Sequence, residues 1–538
     1  MMTPPSRSGD FLRRAEIAAA CAATLAAVIG HLVVLFYSGP LWRNEVNTVN
    51  VAALPSLAEV WHNLQFDSFP ILWFLVLRVW IGCGFGGDFA LRLLGCGVGL
   101  AIVAMIWVAA RRLRIGLPWC LLALFALNPI VIAYGDSVRA YGFGILLFLT
   151  SLICWWIAFE RPSVVTLAVA TISAILAIHA SYQNSAFLFA VIVAAAVSAI
   201  WKGSWKLAAT LIALGGLAAL SLIPYVGVVR EAASWNEIIR MSPFDFSWFG
   251  RKLVDALGAG LAPVWILLFF VALGWGIVAL FRTRRDEAEG AAILFGVTLA
   301  IVGPVTFYWF LKMLRYFTES WYYAPLLALV ALATDLIISR LRLTSRTRLV
   351  RLVVFLILAF VSVTSGAKEL LTRRTNVDHA AAKLIQLASA DDLIVMNEWY
   401  HAITFHRYAP NLQFVPVPSI GMPSVHRYDL IKVAMENPVT ASDSARMKIA
   451  DTLRSGHRVW IVGRAPQGGG FPVEISPAPQ STSGWLNGPY YEVWSNQLGN
   501  YLQANVARAN DVPLQTLGVS DYEKVSLTEV SGWRTPQQ

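Results

Sequence analysis

Charge is scarce in this chain: 14% of its 538 residues are Asp, Glu, Lys or Arg, against 57% that are hydrophobic. A soluble globular domain carries roughly one-quarter charged residues, so water is excluded as the main solvent. Cysteine is scarce as well. Cys21, Cys83, Cys96, Cys120 and Cys154 show no CxxC spacing and imply neither a disulfide framework nor a zinc site. HExxH, GxSxG and Walker motifs are missing, which removes metalloprotease, serine hydrolase and ATP-driven pump readings. No independent basic face is present either. The net charge of +10 comes from Arg and Lys at the ends of apolar blocks, so it reads as topology rather than as a nucleic-acid footprint.

What the chain has in abundance is apolar length, with a mean hydropathy of +0.60. Blocks of about 17 to 23 residues match the length that carries a helix through about 30 Å of hydrocarbon. Unpaired peptide groups are costly in lipid, and the blocks show no period-2 alternation, so helices are expected rather than a barrel. The first block, 15–36, follows Arg13-Arg14 and lacks a small-residue cleavage pattern, so it is expected to remain as the first helix.

Cytoplasmic loops concentrate Lys and Arg. Arg13-Arg14, Arg111-Arg112-Arg114, Arg161, Lys202 with Lys206, Arg282-Arg284-Arg285 and the run Arg340, Arg342, Arg346, Arg348, Arg351 all belong inside if crossings between neighbouring marks are even in number. Three apolar segments lie between Arg14 and Arg111, at 15–36, 69–83 and 89–110. The middle one is short and carries Arg78, which at mid-membrane costs about 2.5–3.5 kcal/mol, so it is expected to lie in the interface or re-enter. The chain then has about eleven spans: 15–36, 89–110, 117–134, 141–159, 163–179, 185–201, 206–224, 260–281, 290–311, 321–339 and 350–366.

Residues 38–88 become a large first external loop containing the amphipathic helix 56–64. The fold class is therefore mainly α: a membrane helix bundle, residues 1–366, followed by a soluble α/β domain, 367–538, on the far side of a bacterial-type inner membrane from a cytoplasmic N-terminus. In that domain a helix is expected at 378–389 and strands at 393–396, 412–417, 459–462 and 525–530. The tract Gly468-Gly469-Gly470 follows a strand but opens no helix, and reads as a loop rather than a phosphate cradle.

Polar residues gather on the external side: Trp42-Arg43-Asn44-Glu45, Asp67, Arg92, Tyr134 through Tyr141, His179 with Tyr182-Gln183-Asn184, and Lys312 through Arg315. The inside rule gives no reason for Arg139, Lys312 and Arg315 to be outside, and an anion near the outer surface does. Glu45 lies in an apolar neighbourhood suited to a general base; pairing with Arg43 is the structural alternative. Asp67 is either a site carboxylate or an N-cap of the interfacial helix. Asp136 and Arg139 are spaced to pair on one turn. His179 and Tyr141 border the same loops, where His and Tyr serve as ligands or as interface anchors.

Taken in order, Glu45 soon after the first helix, Asp67-Ser68-Phe69-Pro70-Ile71-Leu72, Ala90-Leu91-Arg92-Leu93-Leu94-Gly95, Asn128-Pro129 leading to Tyr134 and Arg139-Ala140-Tyr141, and Arg315-Tyr316-Phe317 resemble the GT-C class of glycosyltransferases. The resemblance is to bacterial relatives of protein O-mannosyltransferases and of the aminoarabinose transferase that modifies lipid A. Asn44-Glu45 stands where many relatives carry Asp-Glu. The resemblance implies a non-spanning interfacial helix and transfer of a sugar from a polyprenyl-phosphate donor to a glycan, lipid or protein acceptor. It implies an inverting reaction with Glu45 as base and Asp136 beside it, while Arg139, Arg315, Lys312 and Arg92 hold the donor phosphate. No metal is required where arginines neutralise the phosphate, although a divalent ion at Glu45 is compatible with it. A flippase of lipid-linked sugars, or an oligosaccharyltransferase- or ligase-like enzyme using a diphosphate carrier, are the alternatives.

Overall fold

The computed structural model describes residues 7–240, 244–282, 288–315, 317–341, 344–421, 424–480 and 484–534. Arg284, Arg285, Tyr316 and Arg342, used above, lie outside the described residues. Among the described residues, nine helices are long and apolar enough to cross a membrane, from Asp10–Tyr37 and Asp88–Arg112 to Ser320–Ser339 and Ser345–Leu370. The chain is a multi-pass membrane protein.

Two further expected spans take other forms. The expected helix 163–179 is Val164–Ala180, with 17 residues. The expected straight helix 117–134 is broken: a π-turn at Leu121–Ala126 gives way to a short helix, Pro129–Gly135. The cause is Asn128-Pro129. Proline pushes the residue before it towards extended backbone, and Asn128, with ψ 122°, caps the new helix by accepting from Ile130 N and Val131 N. The upstream piece is held by Asp335, whose carboxylate accepts from Cys120 N and Leu121 N at 2.9 Å each.

The Arg78-bearing stretch forms the helix Ile71–Gly82, with 12 residues. At 1.5 Å per residue this is about 18 Å, too short for a hydrocarbon core of about 30 Å. Arg78 donates to the carbonyls of Ala52, Leu54 and Pro55. The charge is thus used to cap the end of a neighbouring helix, Arg43–Ala52, which the sequence reading did not anticipate.

Beyond Leu370, where the last bundle helix ends, five strands among the described residues form one sheet: β1 (Leu393–Asn397), β2 (Phe414–Pro416), β3 (Val459–Gly463), β4 (Val506–Val512) and β5 (Ser526–Trp533). Their order is β2-β1-β3-β5-β4. β1 pairs in parallel with β2 and β3, while β5 is antiparallel to β3 and β4. Apolar cores cover both faces of the sheet, one containing Ile449 and Trp494 and the other Val377 and Phe405. Two-sided burial explains why β1 and β3 are continuous apolar runs. The helix expected at 378–389 is Val377–Leu387. β4 was missed: it is an edge strand whose residues 507–511 are exposed, so its sequence lacks any apolar period. This region docks on the segment between the first two long helices. Tyr408 Oη accepts from Leu41 N at 2.7 Å and donates to Asp88 at 2.6 Å, and Arg43 N donates to Glu523 at 3.0 Å.

Candidate functional site

The helix Arg43–Ala52 sets the geometry. Residues three and four apart share a helix face, so Asn44, Asn47 and Thr48 line up together, and Asn47 and Thr48 bond to the turn that carries Asp67. That turn follows a 3-10 segment, Leu64–Phe66. It does not cap the next helix, whose N-cap is Pro70, so the capping alternative for Asp67 fails. Asp67 Oδ2 accepts from Asn47 Nδ2 at 3.1 Å, Thr48 Oγ1 at 2.9 Å and Arg139 Nη1 at 2.8 Å, and Oδ1 accepts from Ser68 N at 2.6 Å. Arg139 is buried; it also donates to Asn44 O at 3.1 Å and lies 4.8 Å over the Phe69 ring.

This pair borders a cavity of about 230 Å³, which Tyr141, Gln183, Trp235, Leu311 and Tyr322 also line. The Asp67 carboxylate itself has no exposed surface: the ion pair with Arg139 closes that part of the wall. Two residues of the C-terminal region, His426 and Tyr428, complete the lining. His426 N donates to Asn47 Oδ1 at 2.8 Å. Burial, with Arg43 and Arg139 nearby, pushes the His426 imidazole down to about 3, so it is neutral.

Of the residues singled out in the sequence, Asp67, Arg139 and Tyr141 meet at this cavity together with Asn44, Ser68, Phe69, Tyr182 and Gln183, whereas Glu45, Arg92, Asp136, His179, Lys312 and Arg315 do not line it. Glu45 is fully buried, and its partner is Arg92 rather than Arg43: Oε1 and Oε2 accept from Nη1 and Nη2 at 2.5 and 2.8 Å. Oε1 also accepts from Val138 N at 2.9 Å, and Arg92 Nη2 donates to Pro40 O at 2.9 Å. Neither Glu45 nor Arg92 lines the cavity, and each is the other's partner.

Asp136 pairs with His31 Nδ1 at 2.8 Å rather than with Arg139. The contact needs Gly99, where a Cβ would overlap both groups. His179 uses both ring nitrogens, with Tyr225 Oη at 3.0 Å and Ser221 Oγ at 3.1 Å. Lys312 and Arg315 are exposed on the turn whose Leu311 and Leu314 line the cavity; Lys312 Nζ is 4.9 Å from the Trp309 ring centroid, and Arg315 has φ +51°. Among the described residues, no three His, Cys, Asp or Glu side chains group as metal ligands.

Sequence reasoning missed Asn47, Thr48, His426 and Tyr428. The i, i+3, i+4 spacing of Asn44, Asn47 and Thr48 was the available signal for the first two. Nothing local marks the last two, which reach the cavity only through tertiary docking.

No protein-family model matches the sequence, and no curated protein does. Solved structures do. ArnT from Cupriavidus metallidurans in the apo state aligns with a TM-score of 0.50 at 13% identity, over 82% of this chain and 92% of that one. The same protein bound to undecaprenyl phosphate gives 0.47 at 12%, over 82% and 92%. The Archaeoglobus fulgidus oligosaccharyltransferase gives 0.46 at 13%, over 82% of this chain and 67% of its own. The apo ArnT alignment, with the bundle and small sheet described above, establishes that this chain has the GT-C fold.

Proposed function

We propose that the protein is a membrane glycosyltransferase that moves a sugar from a polyprenyl-phosphate donor to an acceptor hydroxyl of a glycan, lipid or protein, with inversion, at the outer face of a bacterial inner membrane. The observation that carries this reading is the Asp67–Arg139 ion pair on the wall of a cavity formed by the first loop, the bundle and the C-terminal region. The proposed base thereby moves from Glu45 to Asp67.

The pairing supplies a switch. A donor phosphate offers Arg139 a better match than one carboxylate oxygen, because guanidinium binds phosphate in a two-point fork. As Arg139 turns to the phosphate, Asp67 is released to accept a proton. The acceptor oxygen then bonds to the anomeric carbon from the face opposite the phosphate, its proton passes to Asp67, and the carbon–phosphate-oxygen bond breaks with its electron pair leaving on the polyprenyl phosphate. Arg139 stabilises that charge, and Lys312 and Arg315, exposed next to the cavity-lining Leu311 and Leu314, hold the departing headgroup. Arginine neutralises the phosphate, so this scheme requires no metal ion; added chelator is expected to leave turnover unchanged.

The test is turnover by purified protein in lipid nanodiscs with a radiolabelled polyprenyl-phosphate sugar. The expected result is label transferred to an acceptor-bearing envelope extract. Movement of donor across sealed vesicles without transfer assigns a flippase instead, and transfer only from a diphosphate-linked glycan assigns an oligosaccharyltransferase-like enzyme.

A further inference from the structure

We propose that His426 is the sugar-recognising side chain of the cavity, its imidazole hydrogen-bonding through Nε2 to a hydroxyl of the sugar being transferred. This rests on the donor reading above and goes beyond it by naming a specificity residue, supplied by the C-terminal region rather than by the bundle.

Three observations converge. His426 lines the cavity, its side chain is buried, and its Nε2 has no hydrogen-bond partner. A buried polar atom left unpaired is costly, and one on a cavity wall is satisfied by what the cavity holds. Secondly, its backbone is fixed in register with the reacting pair: Asn47 accepts from His426 N through Oδ1 and donates to Asp67 through Nδ2, at 2.8 and 3.1 Å. Thirdly, its neighbours suit a sugar. Tyr428 stacks on Trp235 at 5.2 Å and Trp235 on Phe66 at 5.9 Å, and all three line the cavity.

The division of labour follows from charge. Burial and the two nearby arginines keep the imidazole uncharged down to a pH of about 3, so His426 brings no positive charge to a phosphate. It offers one N–H or one lone pair, which is what a hydroxyl requires. With the phosphate on Arg139, the sugar is one bond away and faces the wall that carries His426 and Tyr428.

The competing explanation is packing, since the ring also sits edge-on to Trp399 at 5.8 Å. Binding separates the two. Full-length protein in nanodiscs is titrated with a polyprenyl-phosphate hexose and with the same polyprenyl phosphate lacking the sugar. Loss of one hydrogen bond predicts that His426→Ala weakens the hexose lipid about 3- to 10-fold and leaves the sugar-free lipid within twofold. His426→Gln, which keeps a neutral hydrogen-bonding head, is expected to recover part of the loss. Equal weakening of both lipids, or of neither, while wild type binds both, overturns the proposal and leaves the donor reading standing. Wild type binding neither lipid overturns the donor reading and this proposal together.

Discussion

Replacing Glu45 by Gln is the perturbation that best separates structural from chemical carboxylates in this protein. Glu45 and Arg92 are both buried and joined by two hydrogen bonds of 2.5 and 2.8 Å. Gln keeps one oxygen acceptor but sets an NH2 donor against the guanidinium, so one charged hydrogen bond, about 1.5–3 kcal/mol, is lost and the Arg92 charge is left uncompensated. Stranding one charge of a buried ion pair costs roughly 3–5 kcal/mol in all. Unfolding entropy grows with chain length at about 2.1 cal/mol/K per residue. For cooperative unfolding of a chain this size, the melting point is expected to drop by roughly 3–5 °C. The double variant Glu45→Gln/Arg92→Met strands no charge and is expected to recover at least half of the drop. Thermal melting in nanodiscs, with turnover measured well below the transition, reads both effects. Glu45→Gln turnover is expected to stay within about tenfold of wild type, because Glu45 lies off the cavity wall and holds the backbone of Val138. A loss beyond about 10² with an unshifted melting point would return the base to Glu45 and refute the argument.

Other expectations follow from the same geometry. Asp67→Asn should slow turnover by about 10² to 10⁴ at saturating donor. Arg139→Lys keeps the charge but loses the fork; it should raise KM for the donor more than it lowers kcat. His426 is held neutral in the folded state to about 3, whereas in the unfolded chain it takes a proton near 6.5. Stability should therefore be unaffected by this group above about pH 6.5 and fall below it by up to about 1.4 kcal/mol per pH unit. Melting of wild type against His426→Ala at pH 7 and pH 5 should show the wild type losing about 2 kcal/mol more. Gly99→Ala pushes a methyl into the Asp136–His31 contact and should cost about 1–3 kcal/mol by overpacking, lowering the melting point with turnover preserved at permissive temperature.

The parts of the fold legible in the sequence are those fixed by solvent and by local chemistry. Block length and composition locate the long helices, and counting basic loops singles out the short Arg78 stretch. Asn128-Pro129 was noticed only as a motif, yet its backbone preference is what breaks the helix there. The pairing of charges was not legible. Adjacent candidates, Arg43 for Glu45 and Arg139 for Asp136, lose to Arg92, 47 residues away, and His31, 105 residues away, because packing decides which charges share a buried space. The wall supplied by His426 and Tyr428 was invisible for the same reason.

The segment 136–139 shows why so many buried charges gather at one end of the bundle. Asp136 is tied to His31, Val138 N to Glu45, Val138 O to Trp73 Nε1 at 2.9 Å, and Arg139 to Asp67. Buried ion pairs add little net stability over apolar packing, so stability alone does not account for Glu45–Arg92 and Asp136–His31. Their placement does: both fix the backbone from which Arg139 projects. On the proposed mechanism the Arg139 backbone stays fixed while its guanidinium turns from Asp67 to the donor phosphate, which a flexible loop cannot provide. The three pairs should then divide by readout. Breaking either pair away from the cavity should move the melting point first, and breaking the pair on its wall should move turnover first.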